Sequence, residues 1–489
     1  MPGVVPQAQA GRQRPGAVGG VAARAATSVR ASSRADEGNG PYQVGQEVEV
    51  TIADVAQGGW CVARPEGLPV MFVRHALPGE RVVARVTEVT SKFARADAVA
   101  IHQASPDRVK APCEYAHPGG CGGCDWQHAS LPAQRALKAA VVAQQLARLA
   151  GIDREVTVEP LPGDAPAATA GAAAAEQVPG ADPVPGQEAP TSGTPGLGWR
   201  TRVQFAVDRD GTAGLRGHRS HTVIEIDDCL IAHQTVRDLD ILSDEWPGAT
   251  AVEVAVGGAE TVENFAVTVV EGGDTQKTRN NRTRQPGGRT TRPKRTLVEG
   301  RPFLAEHAAG RIWQVGADGF WQVHPAAAET LSAAVVEALA PQAGDTVLDL
   351  YCGAGLFAGV VAPLVGPDGA VTGVESDAVA VKNARQNLDD CPQATFLKAD
   401  VAQAAAAGDL PSATLVIADP PRAGLAREVV DYLTGDNGTE RFAYVSCDPA
   451  TLARDLALLI AGGWRLENLR AFDAFPMTHH VECVAVLAR

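Results

Sequence analysis

The chain lacks any run of about 18 or more apolar residues free of charge or of Pro/Gly breaks, so no membrane-spanning helix is expected. It also lacks an apolar secretory core near its start, which makes the cytoplasm the expected compartment. Positive charge is not in excess. A net charge of −14 argues against indiscriminate nucleic-acid binding, although RNA contact depends only on the local surface. Acid is absent from the first 35 residues, where five arginines (Arg12, Arg14, Arg24, Arg30, Arg34) lie among Ala, Gly and Ser. That composition resembles an organellar transit peptide, but it is ordinary for a tail in an Arg-rich, Lys-poor sequence, and residues 1–40 are read as a disordered basic tail. Nine cysteines without a secretory signal fit metal binding or catalysis better than disulfides. Four of them, Cys61, Cys352, Cys391 and Cys483, sit in no recognisable setting and read as small buried hydrophobes.

A length of 489 residues calls for two or three domains. Residues 41–102 carry short alternating strands, Val48–Ile52 and Arg81–Val86, punctuated by Gly58-Gly59 and Leu77-Pro78-Gly79-Glu80, which predicts a small β-barrel. A helix is expected over 132–150, with Leu137, Val141, Val142 and Leu146 on one stripe. Residues 103–310 form a central β-rich region interrupted by insertions at 162–198 (Ala/Pro/Gly-rich) and 272–297. Within 275–298 there are eight Lys/Arg and no acid, which reads as a flexible basic loop, either a solvated insertion or an RNA contact.

From 311 to 489 the chain turns to an α/β pattern. Strands at 346–350, 371–374, 413–418 and 442–446 alternate with helices near 356–365, 378–389, 426–434 and 449–461. This predicts a doubly wound, mostly parallel sheet. The first strand ends in Asp349-Leu350-Tyr351-Cys352-Gly353-Ala354-Gly355, where two glycines let backbone approach a ligand, and the second ends in Glu375, placed to bind ribose hydroxyls. The third glycine of the pyrophosphate fingerprint is missing, so a nucleoside sulfonium fits better than a dinucleotide.

Strand 413–418 runs into Asp419-Pro420-Pro421-Arg422, and proline forces this loop off the sheet above the cofactor. Arg422 stands where amino-group methyltransferases place an aromatic residue, which argues against methylation of an exocyclic amine. The next strand ends in Ser446-Cys447-Asp448-Pro449, where the following helix dipole is expected to favour a Cys447 thiolate. A thiolate adding at carbon 6 of uracil makes carbon 5 nucleophilic, and a base must then remove the carbon-5 proton. Glu482, in Phe475-Pro-Met-Thr-His-His-Val-Glu482, is the candidate base.

These segments, with Leu348-Asp-Leu-Tyr-Cys-Gly-Ala-Gly and Tyr444-Val-Ser-Cys-Asp-Pro-Ala-Thr-Leu-Ala-Arg-Asp, resemble the uracil-5 RNA methyltransferase family over about 41–489. The resemblance implies a class I, Rossmann-like methyltransferase sheet using S-adenosyl-L-methionine, with Cys447 as nucleophile and Glu482 as base. It implies Gln322, Asp349, Tyr351, Gly353, Gly355, Glu375 and Asp400 on the cofactor side, and Asp419 in the methyl-transfer pocket. The family usually has Asn where His324 stands, so no polar role is expected for His324. Residues 41–102 resemble a TRAM domain, an OB-like RNA-binding barrel.

Cys113-x7-Cys121-Gly-Gly-Cys124 offers three thiolates to a metal, and Cys229 is the leading fourth; spacing leaves zinc and iron–sulfur both open. The resemblance implies a 4Fe-4S cluster, although the Cys113–Cys121 spacing is longer than is usual. The expected enzyme is a monomer acting on ribosomal or transfer RNA, with a slight preference for ribosomal. A non-catalytic RNA-binding protein and a cytosine-5 RNA methyltransferase are the alternative readings.

Overall fold

A computed structural model describes residues 41–164, 194–259, 263–272 and 293–489. The readings of the 1–40 tail and of most of the two insertions lie outside these residues.

Five strands, β1 (Glu47–Ala56), β2 (Trp60–Ala63), β3 (Val70–Arg74), β4 (Arg81–Val89) and β5 (Phe93–Gln103), close into a barrel in the order β1-β2-β3-β5-β4. Alternation drives the closure: Val50, Ile52, Met71, Val73, Val82 and Ala84 point inward and are buried. Ser130 then caps α1 (Leu131–Gln145), with Pro132 in its first turn. Val141 and Val142 of the expected stripe are buried on it, and Leu146 is buried in the wider turn that follows. Lys138, on the same helix, is completely buried against Asp473.

After β6 (Val158–Pro160) comes an antiparallel sheet of β7 (Arg202–Val207), β8 (Ala213–Arg216), β9 (Val223–Glu225), β10 (Ala249–Val256), β11 (Phe265–Glu271) and β12 (Lys294–Gly300), ordered β12-β11-β10-β7-β8-β9. A short helix, α2 (Gln234–Asp238), packs on β10. The basic stretch read as a loop is thus a paired edge strand from Lys294 onward, its Lys and Arg fitting the exposed ladder beside Glu271 and Glu253. The feet of the other insertion are also ordered, because Asp164 accepts from the Gly196 N–H at 2.9 Å. The hairpin β13 (Phe303–Ala308) and β14 (Arg311–Gly316) leads into the last sheet and spans the 310/311 boundary read from the sequence.

That sheet comprises β15 (Thr346–Leu350), β16 (Ala370–Glu375), β17 (Ala394–Lys398), β18 (Leu415–Ala418), β19 (Arg441–Ser446), β20 (Arg465–Asp473) and β21 (Glu482–Ala488), joined by β6. Its order is β17-β16-β15-β18-β19-β21-β20-β6. Strands β15 to β19 are parallel, whereas β21 runs antiparallel between β19 and β20. Helices α3 (Ala327–Leu339), α4 (Leu356–Val365) and α5 (Ala378–Asn387) bury one face, with Trp313 and Phe357 among them. The other face packs on α1, α6 (Val401–Ala407), α7 (Arg427–Thr434) and α8 (Pro449–Ala461), around Leu433, Tyr444 and Leu456. The sequence pattern missed β6, the β13–β14 hairpin, β17, β20, β21 and helices α2, α3 and α6. Among the described residues, no helix is long and apolar enough to cross a membrane. Cys61, Cys352, Cys391 and Cys483 are buried, as expected.

Candidate active site

In a parallel sheet the loops after the strands gather at one edge, and here they gather the predicted residues. Leu350 is in register with Val374 and Ala418, and Ala418 with Tyr444, so the loops holding Tyr351, Glu375, Asp419 and Cys447 emerge side by side. On the antiparallel partner, Cys483 pairs with Ser446, which brings Glu482 opposite Cys447.

The cofactor side is built on positive backbone angles. Tyr351, Gly353 and Gly355 have φ of 63°, 54° and 92°. Gly355 opens α4, and a Cβ there would stand 3.2 Å from that of Ala384, so glycine suits both the angle and the space. Glu375 accepts from the Gly353 and Asp377 N–H groups at 3.2 and 2.7 Å. Asp349 is fully buried; one oxygen accepts from the Ala358 N–H at 2.9 Å and the other has no partner among the described residues. Burial pushes its carboxyl up to about 8. Asp400 is exposed and caps α6 through the Gln403 N–H at 2.9 Å. Gln322 is buried in the loop between β14 and α3.

The catalytic side is rich in carboxyl groups. Burial raises the pKa of Glu482 far above the usual carboxylate range, with Asp419 adding to the rise and Arg422 opposing it. Glu482 Oε2 is buried and without a partner among the described residues. Asp419 is also raised by burial. Cys447 is half-buried, and burial first, then Glu482, pushes its thiol up to about 12 against the pull of Arg422. This corrects the thiolate expected from the helix dipole. Asp448 caps α8 by accepting the Thr451 N–H at 2.8 Å, and its own charge opposes a second anion beside it. His480 lies 3.4 Å from an Arg422 Nη and is held neutral, pushed down to about 3 by burial and by the neighbouring His479 and Arg422.

Some residues that hold the site escaped the sequence reading. Asp125 receives both the backbone N–H and Nδ1 of His479, at 3.2 and 2.6 Å, and Arg74 of the barrel lies 3.5 Å from its other oxygen. The Met477 carbonyl accepts the N–H groups of Asp125 and Trp126, both at 3.0 Å. His324, for which no polar role was expected, bonds Asp164 at 2.8 Å while stacked on Trp199. Sequence separation hides every one of these pairs.

Cys113, Cys121, Cys124 and Cys229 line one cavity together with Arg200 and Gln127, and none is in a disulfide. Gln127 accepts the Cys113 N–H at 3.1 Å, and the Gly123 N–H reaches the Cys121 sulfur at 3.3 Å. Among the described residues no group of three or more His, Cys, Asp or Glu is arranged to hold a metal ion.

Comparison with known proteins adds sequence and fold relationships. The tRNA (uracil-5-)-methyltransferase pattern matches residues 409–489, the TRAM domain residues 41–99 and the methyltransferase small domain residues 327–431. An uncharacterised RNA methyltransferase of Streptomyces coelicolor is 46% identical, covering 91% of this chain and 93% of its own. The 23S rRNA (uracil(1939)-C(5))-methyltransferase RlmD of Pseudomonas fluorescens is 32% identical over 91% of this chain and 94% of its own. In fold, the chain is similar to the Pyrococcus abyssi tRNA (uracil-54, C5)-methyltransferase, solved with S-adenosyl-L-homocysteine. The TM-score is 0.61 at 22% identity, over 90% of this chain and 100% of that one.

Proposed function

The chain belongs to the RNA uracil-5 methyltransferase family, and from that premise we propose that it methylates carbon 5 of a uracil in ribosomal RNA through a covalent bond from Cys447. The observation that carries this reading is the placement of Cys447 opposite Glu482 at the sheet edge. The enzyme itself is an S-adenosyl-L-methionine-dependent RNA uracil-5 methyltransferase with a TRAM barrel. Ribosomal RNA is favoured because relatives at 32% identity are named as acting on 23S rRNA, whereas the tRNA enzyme is alike in fold alone.

When bound, S-adenosyl-L-methionine supplies an electrophilic methyl group. Gly353, Gly355 and Glu375, with Tyr351, Asp349, Asp400 and Gln322 around them, hold and orient it at the edge of β15 and β16. Cys447 is half-buried, so its proton passes to water before a base seals the cleft, and the sulfur then bonds carbon 6 of the uracil. Arg422 is the cation beside that developing charge. Asp419 lies between the cofactor strands and the nucleophile and lines the methyl-transfer pocket. Glu482, which burial and Asp419 hold towards its protonated form in the RNA-free protein, first gives up that proton to water; after carbon 5 has taken the methyl group, its carboxylate removes the carbon-5 proton, the carbon 6–sulfur bond breaks and the Cys447 thiolate is released.

The four cysteines suit a 4Fe-4S cluster. All four line one cavity and none is in a disulfide, and four thiolates are the donor set such a cluster takes. Cys113, Cys121, Cys124 and Cys229 would hold it. Its contribution would be to fix the 121–126 loop, on which the catalytic segment leans through the Met477 carbonyl.

The test is methyl transfer to rRNA fragments by the wild type and by Cys447→Ala. Cys447→Ala abolishes transfer yet keeps cofactor affinity, and RNA carrying 5-fluorouridine traps the wild type alone as a denaturant-resistant adduct. Wild-type rates from Cys447→Ala would overturn the mechanism.

A further inference from the structure

The cation beside the reacting atoms is held at the end of a chain of side chains. The backbone of Arg422 is tied down, because its carbonyl accepts the Thr451 hydroxyl at 3.2 Å in the first turn of α8. Its side chain is held more lightly. Arg422 is exposed, and its guanidinium meets one hydrogen-bonding group among the described residues, Nε2 of His480 at 3.4 Å. An arginine can only donate, so His480 presents a bare Nε2 and carries its hydrogen on Nδ1. Burial keeps that ring neutral, which agrees.

Beyond His480 the chain continues. Its ring lies between His479, with centroids 4.1 Å apart, and Phe475, edge-on at 5.8 Å. His479 is fixed in turn by Asp125, one oxygen of which accepts both its backbone N–H and its Nδ1, at 3.2 and 2.6 Å. A carboxylate can only accept, so the hydrogen between them sits on Nδ1. Asp125 is buried where three parts of the protein meet. It follows Cys124 of the cysteine cavity, and Arg74 of the barrel lies 3.5 Å from its other oxygen. The turn between β1 and β2 closes over it: a Cβ on Gly59 would stand 2.7 Å from the Asp125 carboxyl carbon, so only glycine lets the turn come this close. Gln57 of the same turn donates to Asp448, beside Cys447, at 3.0 Å.

The other end of the chain is at the chemistry. The Arg422 charge acts against the rise in pKa of both Cys447 and Glu482. A long side chain with a free head samples many rotamers, and an acceptor at its head restricts it to few. We propose that Asp125, His479 and His480 are positioning residues for Arg422: Asp125 fixes His479, the two imidazoles stack, and His480 Nε2 holds the guanidinium beside Cys447. The loop of the cysteine cavity is thereby joined to the nucleophile through side chains as well as through the Met477 carbonyl. This rests on the reading of Cys447 as nucleophile and of Arg422 as the cation beside it.

The test reads Arg422 through Cys447, as the pH profile of iodoacetamide inactivation of the RNA-free protein. His480→Phe keeps a ring for the stack and removes the acceptor. Its profile shifts to higher pH, as with Arg422→Gln, and kcat for methyl transfer falls about tenfold with the cofactor KM unchanged. In His480→Phe combined with Arg422→Gln the profile lies where Arg422→Gln alone puts it, since both act through one group. His480→Gln, whose amide oxygen reaches the place of Nε2, restores both measurements. Asp125→Ala shifts the profile the same way, and shifts it no further in the His480→Phe background. Should Asp125→Ala unfold by stranding Arg74, Asp125→Ala with Arg74→Met takes its place. The proposal is overturned if His480→Phe leaves the profile in place, or moves it as far in the Arg422→Gln background as in the wild type. It is equally overturned if Asp125→Ala lowers the thermal midpoint and leaves the profile unmoved, which would make Asp125 a structural carboxylate. Alkylation needs neither RNA nor a filled cysteine cavity, so this proposal can fail with Cys447 still the nucleophile, whereas an active Cys447→Ala would undo that reading by itself.

Discussion

Ser446, at the end of β19, and Cys483, near the start of β21, are register partners in an antiparallel pair, and one step beyond that ladder Cys447 comes to lie across from Glu482. Nucleophile and base are thus held by backbone pairing rather than by flexible loops, on strands buried on both faces. The base needs a carboxylate within reach of carbon 5 once sulfur is on carbon 6, and Glu482 has an oxygen free of any partner among the described residues. With Glu482→Gln, sulfur addition and methyl transfer proceed but proton removal stalls. RNA accumulates as a methylated, denaturant-resistant adduct on a denaturing gel with Glu482→Gln and not with Cys447→Ala. Normal turnover without an adduct would make Glu482 a structural carboxylate.

The thiol of Cys447 is pushed up to about 12 by burial and by the neighbouring Glu482 and Asp419, with Arg422 acting the other way. Alkylation by iodoacetamide needs the thiolate, so loss of activity in the RNA-free protein is slow at neutral pH and accelerates as pH rises towards that value. At alkaline pH Asp419 is ionised, and Asp419→Asn removes one negative neighbour and shifts the profile to lower pH. Arg422→Gln removes the positive neighbour and shifts it higher. The check is the pH dependence of inactivation, with peptide mapping to assign the label to Cys447; coincident profiles would refute the electrostatic account.

Local patterns made part of this legible in the sequence. The strand-then-loop grammar placed Gly353, Glu375, Asp419 and Cys447 at one edge, because in a parallel sheet chain order translates directly into loop position. The helix-dipole argument for Cys447 failed because it was local too: Glu482 and Asp419 arrive from distant strands, and Asp448 caps the helix with its own charge. The short β6 and β17 gave no strong alternation, as only Val158 and Phe396 are buried on them. Gln57–Asp448, Asp125–His479 and Asp164–His324 join residues between 160 and 391 apart, and no spacing rule reaches that far.

The cysteine cavity makes its own prediction. Anaerobically purified protein is brown and holds about four iron atoms per chain, and Cys124→Ser loses both colour and iron. Iron analysis with visible absorption checks this, and stoichiometric zinc in a colourless protein would replace the cluster by a single metal. Losing the group also loosens the 121–126 loop, so Cys124→Ser lowers the thermal midpoint whatever its effect on methyl transfer.

Lys138 is the buried charge that ties α1 to the catalytic sheet. Its ammonium pairs with Asp473 and donates to the Phe475 carbonyl at 3.0 Å, one residue before the segment that carries His479, His480 and Glu482. Burial lowers the lysine pKa, and the Asp473 charge opposes that fall. Lys138→Met leaves Asp473 as an unpaired buried carboxylate and costs about 3–5 kcal/mol. Replacing both, as Lys138→Met with Asp473→Leu, removes the stranded charge and recovers most of that loss, because a buried ion pair is worth little more than well-packed apolar side chains of similar volume. Urea unfolding of the two variants is the measurement. A single variant as stable as the wild type would show that the pair contributes nothing. A double variant no better than the single would show that the lost lysine bond to the Phe475 carbonyl, which keeps only its Thr478 donors in both, is the costly one. In that case methyl transfer should fall in both variants, since the strap leading to Glu482 starts at that carbonyl.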